Sequence, residues 1–225
     1  MINQMMIAAM IMLIISGCRL EKSTDEQIMD IPYFQQSESG NCVQTNMKMV
    51  LKYFHQDKDF SFEYLDNITG RTEGKWTWPA QALKPLVDNC LDTYFCSITP
   101  YENITPDFLT IHYGEADGNK MIQQTNWDVL PDAIDYLIAS GRYEHKNTTF
   151  EELENEFMKG SVIIVTLRFH QVTITGINET HVLVHDPASR PFRVYLKESF
   201  KDIWYSSPSD NDIFIIKGII SGCEI

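Results

Sequence analysis

The sequence predicts an α+β fold, and three observations support this class. The chain has 225 residues, of which 44% are hydrophobic and 12% aromatic, a globular composition with material for a sizeable core. Helical apolar patterns dominate up to about residue 160. β-branched runs bounded by Gly, Asn, Asp or Pro dominate the remainder. Helices followed by strands are typical of the α+β class. No linker-like stretch interrupts residues 29–225, so we expect one domain there.

The first predicted helix begins near Cys42. Apolar residues then recur with the spacing i, i+3, i+4, i+7, which predicts a helix that buries one face: Met47, Val50, Leu51 and Phe54. The residues just before it, Ser39-Gly40-Asn41, favour a turn and a helix cap. Cys42 is therefore expected where a loop becomes a helix.

Three further helices are predicted before residue 160. One lies near 80–88, where Pro85 is expected to bend or shorten it. A second, within 130–141, has Pro near its start and Gly at its end. A third, within 148–160, opens with a Thr-x-x-Glu capping box. The stretch 99–125 has weak periodicity, which predicts a long loop or an insertion.

The strands are predicted in five runs after residue 160. They read SVIIVTLRF, HQVTITGI, HVLVHDP, RPFRVYL and DIFIIKGII, with one short helix, LKESFKDIW, between the last two. The second and third runs are joined by a turn at Asn178-Glu179, which predicts an antiparallel hairpin.

The charge balance excludes one class of partner. Lys and Arg number 18 against 31 Asp and Glu, a formal charge of −13. Binding nucleic acid requires clustered cations, so we expect no nucleic-acid partner. The negative charge favours solubility and leaves basic peptides or neutral substrates open. No GxxxxGK string occurs, so no nucleotide partner is expected either.

The N-terminal residues indicate export. The apolar run 5–15 is too short to span a bilayer and has the length of a signal-peptide core. Its end, Ile-Ser-Gly-Cys, resembles the lipobox of bacterial lipoproteins, although residues 1–4 carry no Lys or Arg. The resemblance implies a signal peptide over 1–17, a lipidated Cys18 and a tether over 18–28. It thus implies a protein anchored in the cell envelope by its lipid, outside the cytoplasm; an uncleaved signal anchor is the alternative.

The remaining cysteines do not form a metal motif. Cys90, Cys96 and Cys223 lack Cys-x-x-Cys spacing, so zinc has little support. Exported proteins permit disulfides, and any pair of the three is open from sequence alone. Acidic residues are scattered without calcium-loop spacing, so we expect neither a metal nor a cofactor.

The position of Cys42 suits a nucleophile. A thiol at a helix N-terminus faces unsatisfied N–H groups and the positive end of the helix dipole, and both favour the thiolate. The same N–H groups can bind an oxyanion. Such a position also tolerates an inert buried cysteine.

A partner histidine is suggested by the predicted hairpin. Among six histidines, His170 stands at the head of the HQVTITG strand, and the hairpin would bring it near Asp186 at the end of the next strand. A carboxylate beside a histidine is the orienting group that a Cys–His pair needs. Asp186-Pro187 also reads as an ordinary turn.

These residues together carry a family resemblance. IPYFQQSESGNCVQTNMKMVLKYF resembles the opening of papain-like cysteine peptidases of the bacteriocin-processing, double-glycine leader type and their stand-alone relatives. In that family a Gln stands six residues before the Cys, as Gln36 does before Cys42. HQVTITGINETHVLVHDP matches the family's His strand, turn and Asp-Pro strand. The likeness covers most of residues 30–220, including TWPAQALKPL and LKESFKDIWYSS.

The resemblance implies a papain-like fold with a helix-borne nucleophile packed on a C-terminal antiparallel sheet. It further implies that Cys42 is the nucleophile, His170 the base and acid and Asp186 its orienting group, with Gln36 an oxyanion donor. The implied substrate is a peptide or protein. Val43 departs from the usual Gly after the Cys, so double-glycine specificity does not follow.

Two other functions stay open. The same Cys-His-Asp order serves acyl transfer of the transglutaminase-like class, in which an amine accepts the acyl group. A catalytically silent surface binding module on the same fold is the third reading. The Trp76-Thr77-Trp78 cluster fits either a cleft lining or buried packing.

Overall fold

The computed structural model describes residues 27–225, whose strands form one eight-stranded sheet. The strands in chain order are β1 (Gln27–Ile28), β2 (Leu91–Ser97), β3 (Tyr143–His145), β4 (Val162–Thr166), β5 (Gln171–Ile177), β6 (His181–His185), β7 (Arg193–Leu196) and β8 (Ile213–Ile219). Their order across the sheet is β3-β2-β8-β4-β5-β6-β7, and β1 pairs with β5. The pairings are antiparallel except that between β2 and β3.

The helices are α1 (Cys42–Phe54), α2 (Phe62–Thr69), α3 (Ala80–Asp88), α4 (Pro106–Gln124), α5 (Leu130–Ala139), α6 (Phe150–Met158) and α7 (Lys197–Trp204), with a 3₁₀ turn at Tyr101–Asn103. The predicted helices are present as α1, α3, α5, α6 and α7, and both bonds of the α6 capping box form. The unpredicted α2 is capped by the Ser61 side chain, which accepts from the Tyr64 N–H. It ends at Gly70, whose φ of 65° is the left-handed conformation that glycine favours.

The prediction of a loop over 99–125 is wrong, because most of this stretch is helix α4. Thr105 caps it by accepting from the Phe108 N–H, and Pro106 occupies the first turn. Gly114, with φ of 81°, breaks the helix in the middle, so the apolar positions before and after it lie out of phase. Gly118 allows close packing, since a Cβ there would lie 2.6 Å from the Leu109 carbonyl oxygen.

The simple order of helices first and strands afterwards is also incomplete. β2 lies before residue 160 and enters the sheet between β3 and β8. The sheet also includes Gln27 and Ile28, the last two residues of the predicted tether, which pair with β5. The predicted signal peptide and Cys18 lie outside the described residues. Within residues 27–225, no helix is long and apolar enough to cross a membrane.

The hydrophobic core lies between the sheet and its helices. Helix α1 packs on β5, α3 on β2 and α6 on β4, and the buried side chains form one cluster. A disulfide joins Cys90 to Cys223, with 5.5 Å between their Cα atoms, and ties the chain end to the start of β2. Among the pairings left open by the sequence, this is the one that forms. Cys42 and Cys96 remain as buried free thiols.

Candidate active site

Cys42 is the first residue of α1. No acidic residue stands in the first turn, and the preceding Asn41 makes no side-chain cap. The first N–H groups of a helix have no partner within the helix, and here neither a cap side chain nor an acidic residue offsets their positive partial charge near the thiol. Cys42 is 9% exposed and lines a cleft. A thiolate at this position would lie beside a helix end that favours anions.

His170 is placed by a tight turn between β4 and β5. Leu167 and His170 exchange backbone hydrogen bonds of 2.7 and 3.3 Å across the two residues Arg168 and Phe169. Both turn residues are left-handed, with φ of 51° and 62°, the geometry of a two-residue hairpin turn usually made by Asn-Gly. The Arg168 N–H also donates to the Ser209 hydroxyl at 2.8 Å, which fixes the turn.

Asp186 comes from the end of β6 and meets His170 as the hairpin predicts. The register pairs Thr173 with His185, and the His170 Nε2 lies 2.7 Å from the Asp186 Oδ1. The other carboxylate oxygen accepts from the Arg193 guanidinium at 2.7 Å, and the Ala188 N–H donates to Oδ1 at 3.0 Å. The Asp186 side chain is only 3% exposed, against 28% for His170. The carboxylate is thus held by two other donors besides the imidazole.

The imidazole lies between a carboxylate and a thiol. Nε2 is bound to Asp186, and Cys42, which lines the same cleft, lies close enough to the ring to raise its pKa. Burial lowers the pKa of His170, but the hydrogen bonds and charges of Asp186 and Cys42 outweigh it and raise the pKa to about 9. Burial raises the pKa of Asp186, whereas its hydrogen bonds with His170 and Arg193 lower it to about 2. The arrangement therefore favours an imidazolium on His170 beside the Asp186 carboxylate at neutral pH.

Asn46 joins the two halves of the site, and sequence reasoning missed it. Its amide nitrogen donates to the Cys42 carbonyl at 2.8 Å and to the Gln171 carbonyl at 2.9 Å. Its oxygen accepts from the Thr173 hydroxyl at 2.6 Å. This buried side chain therefore fixes α1, which begins at Cys42, against β5, which begins directly after His170. The available signal was a polar residue one turn after Cys42 on the buried side of the helix.

Gln36 lies on the approach to α1. Its backbone N–H donates to the Pro187 carbonyl at 2.9 Å, which ties the segment to the residue after Asp186. Gln36 lines the cleft that Cys42 and His170 also line, and its buried Oε1 has no partner among the described residues. The structure therefore brings together Gln36, Cys42, His170 and Asp186.

The cleft has a volume of about 310 Å³. All three residues of the Trp76-Thr77-Trp78 cluster line it, and Trp76 packs on Phe169 with 5.6 Å between ring centroids. Val43 lines it too, so its branched side chain narrows the space beside the nucleophile. Residues 27–225 contain no cluster of three or more His, Cys, Asp or Glu side chains suited to a metal ion.

Comparisons with known proteins identify a family. Residues 28–209 match the Peptidase_C39 like family. One similar solved structure is a double glycine motif protease from an AMS/PCAT transporter in complex with the leader peptide. It has 14% sequence identity and a TM-score of 0.49, and the match covers 85% of this chain and 94% of that one. None of the curated proteins matches the chain.

Proposed function

Because the chain belongs to the Peptidase_C39 like family, whose members are papain-like cysteine peptidases, we propose that it hydrolyses peptide bonds through an acyl-enzyme on Cys42. The α+β fold, with the Cys42 helix packed on an antiparallel sheet that carries His170, is the papain-like arrangement expected from the sequence. The observation that carries the proposal is the His170–Asp186 contact of 2.7 Å with Cys42 at the same ring.

In the first half-reaction the Cys42 thiolate attacks the carbonyl carbon of the substrate. The resulting oxyanion would accept hydrogen bonds from the Cys42 backbone N–H and the Gln36 side-chain amide. The His170 imidazolium then gives its proton to the leaving amine nitrogen, the carbon–nitrogen bond breaks, and a thioester remains on Cys42.

Water completes the reaction. His170, now neutral, takes a proton from a water molecule as its oxygen attacks the thioester carbon. The carbon–sulfur bond breaks, the new carboxylic acid leaves, and the thiolate–imidazolium pair is restored. Throughout, Asp186 holds the ring through Nε2, and Arg193 holds Asp186.

The test is cleavage of a synthetic peptide library followed by mass spectrometry in H₂¹⁸O. We expect ¹⁸O in each new C-terminus, and replacement of Cys42 with Ser should lower the rate by on the order of 10⁴-fold or more. Cys96→Ser is the matched control, because Cys96 is the second buried free thiol within residues 27–225 and does not line the cleft.

Two results would contradict hydrolysis. Products joined to an added amine, without ¹⁸O, would identify an acyl transferase. If no peptide is cleaved, or if wild type and Cys42→Ser cleave at the same rate, the results would favour a binding module instead.

We also propose that the protein is a lipid-anchored lipoprotein of the cell envelope. The support is the apolar run 5–15 followed by Ile-Ser-Gly-Cys, and acyl chains bind membranes at about 0.8 kcal/mol per buried CH₂. Expressed in a bacterium, the full chain should incorporate labelled fatty acid and sediment with membranes. Cys18→Ala should abolish both, and unchanged sedimentation would instead indicate a signal anchor.

A further inference from the structure

Two carboxylates lie on the same cleft as Cys42 and His170. Asp210 and Asp212 both line it and are only 7% and 5% exposed. In each, the Oδ1 atom is buried and has no hydrogen-bond partner among the described residues. The mechanism above uses neither residue.

The backbone places this pair rigidly. Asp210 and Asn211 adopt left-handed φ values of 55° and 53°, which turn the segment before β8. The Asp210 carbonyl accepts from the Ile98 N–H at 3.1 Å, and Asn211 bonds both backbone groups of Thr148, at 2.6 and 3.0 Å. The turn is thus anchored to segments beside two other strands.

The direct partners of the two carboxylates are almost all neutral. Asp212 Oδ2 accepts from the hydroxyls of Tyr101 at 3.3 Å and Thr166 at 3.4 Å. Asp210 Oδ2 accepts from the Tyr113 hydroxyl. The His112 Nε2, 3.8 Å from Asp210 Oδ1, is the one basic group in ion-pairing range, and no Lys or Arg within residues 27–225 pairs with either carboxylate.

Such a pair is costly in its charged form unless a cation balances the charge. Burial raises the pKa of both carboxyls, and repulsion from Asp210 raises that of Asp212 further. The hydroxyl groups satisfy one oxygen of each residue but do not balance the charge. A bound cation would favour the charged form of both carboxyls and lower their pKa values, against the effects of burial and mutual repulsion.

The walls of the cleft define which cation fits. Trp78, Tyr101 and Met121 line it with apolar surface alongside the two carboxylates. A lysine or arginine side chain has the matching form, since its aliphatic stem packs on apolar walls while its charged head reaches an anion. The chain's net charge of −13 also attracts basic peptides.

We propose that Asp210 and Asp212 form a subsite that selects substrates with a Lys or Arg side chain close to the cleaved bond. This inference names the substrate class and rests on the proposed function. The carboxylates recognise the head group, and the aromatic walls hold the stem.

The test compares pairs of peptides that differ only in Lys against norleucine, which keeps the four-carbon stem of the side chain and lacks its charged amine. In wild type we expect kcat/KM to favour the lysine peptide by on the order of tenfold or more at one position. Asp212→Asn and Asp210→Asn should bring the ratio close to one. Asp202→Asn, an exposed position on α7, should leave the ratio unchanged.

The outcomes separate this proposal from the function itself. Equal cleavage of both peptides by wild type would overturn the subsite and leave the peptidase standing. If neither is cleaved, protection of Cys42 from iodoacetamide still reports binding. Stronger protection by the lysine peptide would support the subsite alone, and equal protection would overturn it. The comparison in wild type needs no variant, so it holds even if a substitution unfolds the protein.

Discussion

Replacing Asp186 with Asn should move the alkaline limit of activity. The amide keeps the shape of the carboxylate and removes its charge, while the Cys42 helix stays in place. The rise of the His170 pKa from 6.5 to about 9 corresponds to about 3 kcal/mol in favour of the imidazolium, shared between Asp186 and Cys42. When the contribution of Asp186 to this raised pKa is lost, the alkaline limb of the kcat/KM profile should shift from near pH 9 toward pH 7. At pH 8 we expect kcat/KM to fall by up to about 10-fold, because the protonated fraction of His170 falls by that factor when its pKa moves from about 9 to about 7.

The same substitution has a signature in stability. The folded-state pKa of His170 lies above its unfolded value, so its charge stabilises the fold below pH 6.5, and this contribution is lost as the pH rises through about 9. The pKa of Asp186 is lowered from 3.8 to about 2, so its contribution is present above pH 3.8 and lost as the pH falls through about 2. Urea unfolding should therefore separate wild type from Asp186→Asn most between pH 4 and 6.5, and less at pH 10.

The assay is kcat/KM from pH 5 to 10.5 with a cleaved peptide, together with urea unfolding at pH 6 and pH 10. Asp92→Asn is the matched control, because Asp92 has the same 2.7 Å contact with an arginine, Arg142, whereas the 2.7 Å contact with His170 is made by Asp186. An alkaline limb that stays in place in Asp186→Asn would refute the role given to the carboxylate. So would an equal shift in Asp92→Asn.

Three further substitutions have defined outcomes. Asn46→Ala should lower the free energy of unfolding, measured with urea, by about 2–4 kcal/mol, because the Gln171 carbonyl and the Thr173 hydroxyl are left buried without their partner. A loss below about 0.5 kcal/mol would contradict the role of Asn46 in holding α1 against β5. Gln36→Ala should lower kcat by about 10²- to 10³-fold with little change in KM, as expected for an oxyanion donor, and a pure KM effect would argue against that role. Cys223→Ser should lower the free energy of unfolding by about 2–5 kcal/mol, because the lost disulfide joins residues 133 positions apart, and reductant should then have no further effect.

The sequence predicts those parts of the site that depend on local patterns. The turn at Asn178, whose side chain accepts from the N–H groups of Thr180 and His181, is a strong local signal. Antiparallel pairing then brings His170 near Asp186, although the sequence does not predict the register shift between Ile174 and Gly176. The helix that begins at Cys42 follows in the same way from its apolar spacing.

Other features depend on contacts between distant segments. The turn before His170 uses Arg168 and Phe169, neither of which signals a left-handed turn, and Ser209 from another segment holds it. Asn46 reads as an ordinary polar helix residue until β5 packs against it. The sequence does not determine the disulfide between Cys90 and Cys223, because the pair is selected by the distance between the two cysteines in the folded chain and not by their spacing in the sequence.

Helix α4 escapes prediction for a different reason. Gly114 interrupts it and only a few of its residues are buried, so its apolar spacing is weak even though its cap at Thr105 is regular. The two halves of α4 also pack closely where Gly118 meets Leu109, and this contact cannot be read from the sequence.

We infer that Cys42 and His170 act as one unit, and the rate at which iodoacetamide alkylates Cys42 measures this coupling. The rate at Cys42 would be followed from pH 5 to 10 by peptide mass mapping, with Cys96 as an internal reference, in wild type, His170→Ala and the control His181→Ala. Burial raises the pKa of the Cys96 thiol, so Cys96 should react slowly throughout this range. We predict rapid reaction of Cys42 already at pH 6 in wild type and His181→Ala, and its loss in His170→Ala. Reactivity of Cys42 at pH 6 that matches Cys96, or that survives removal of His170, would contradict the claim.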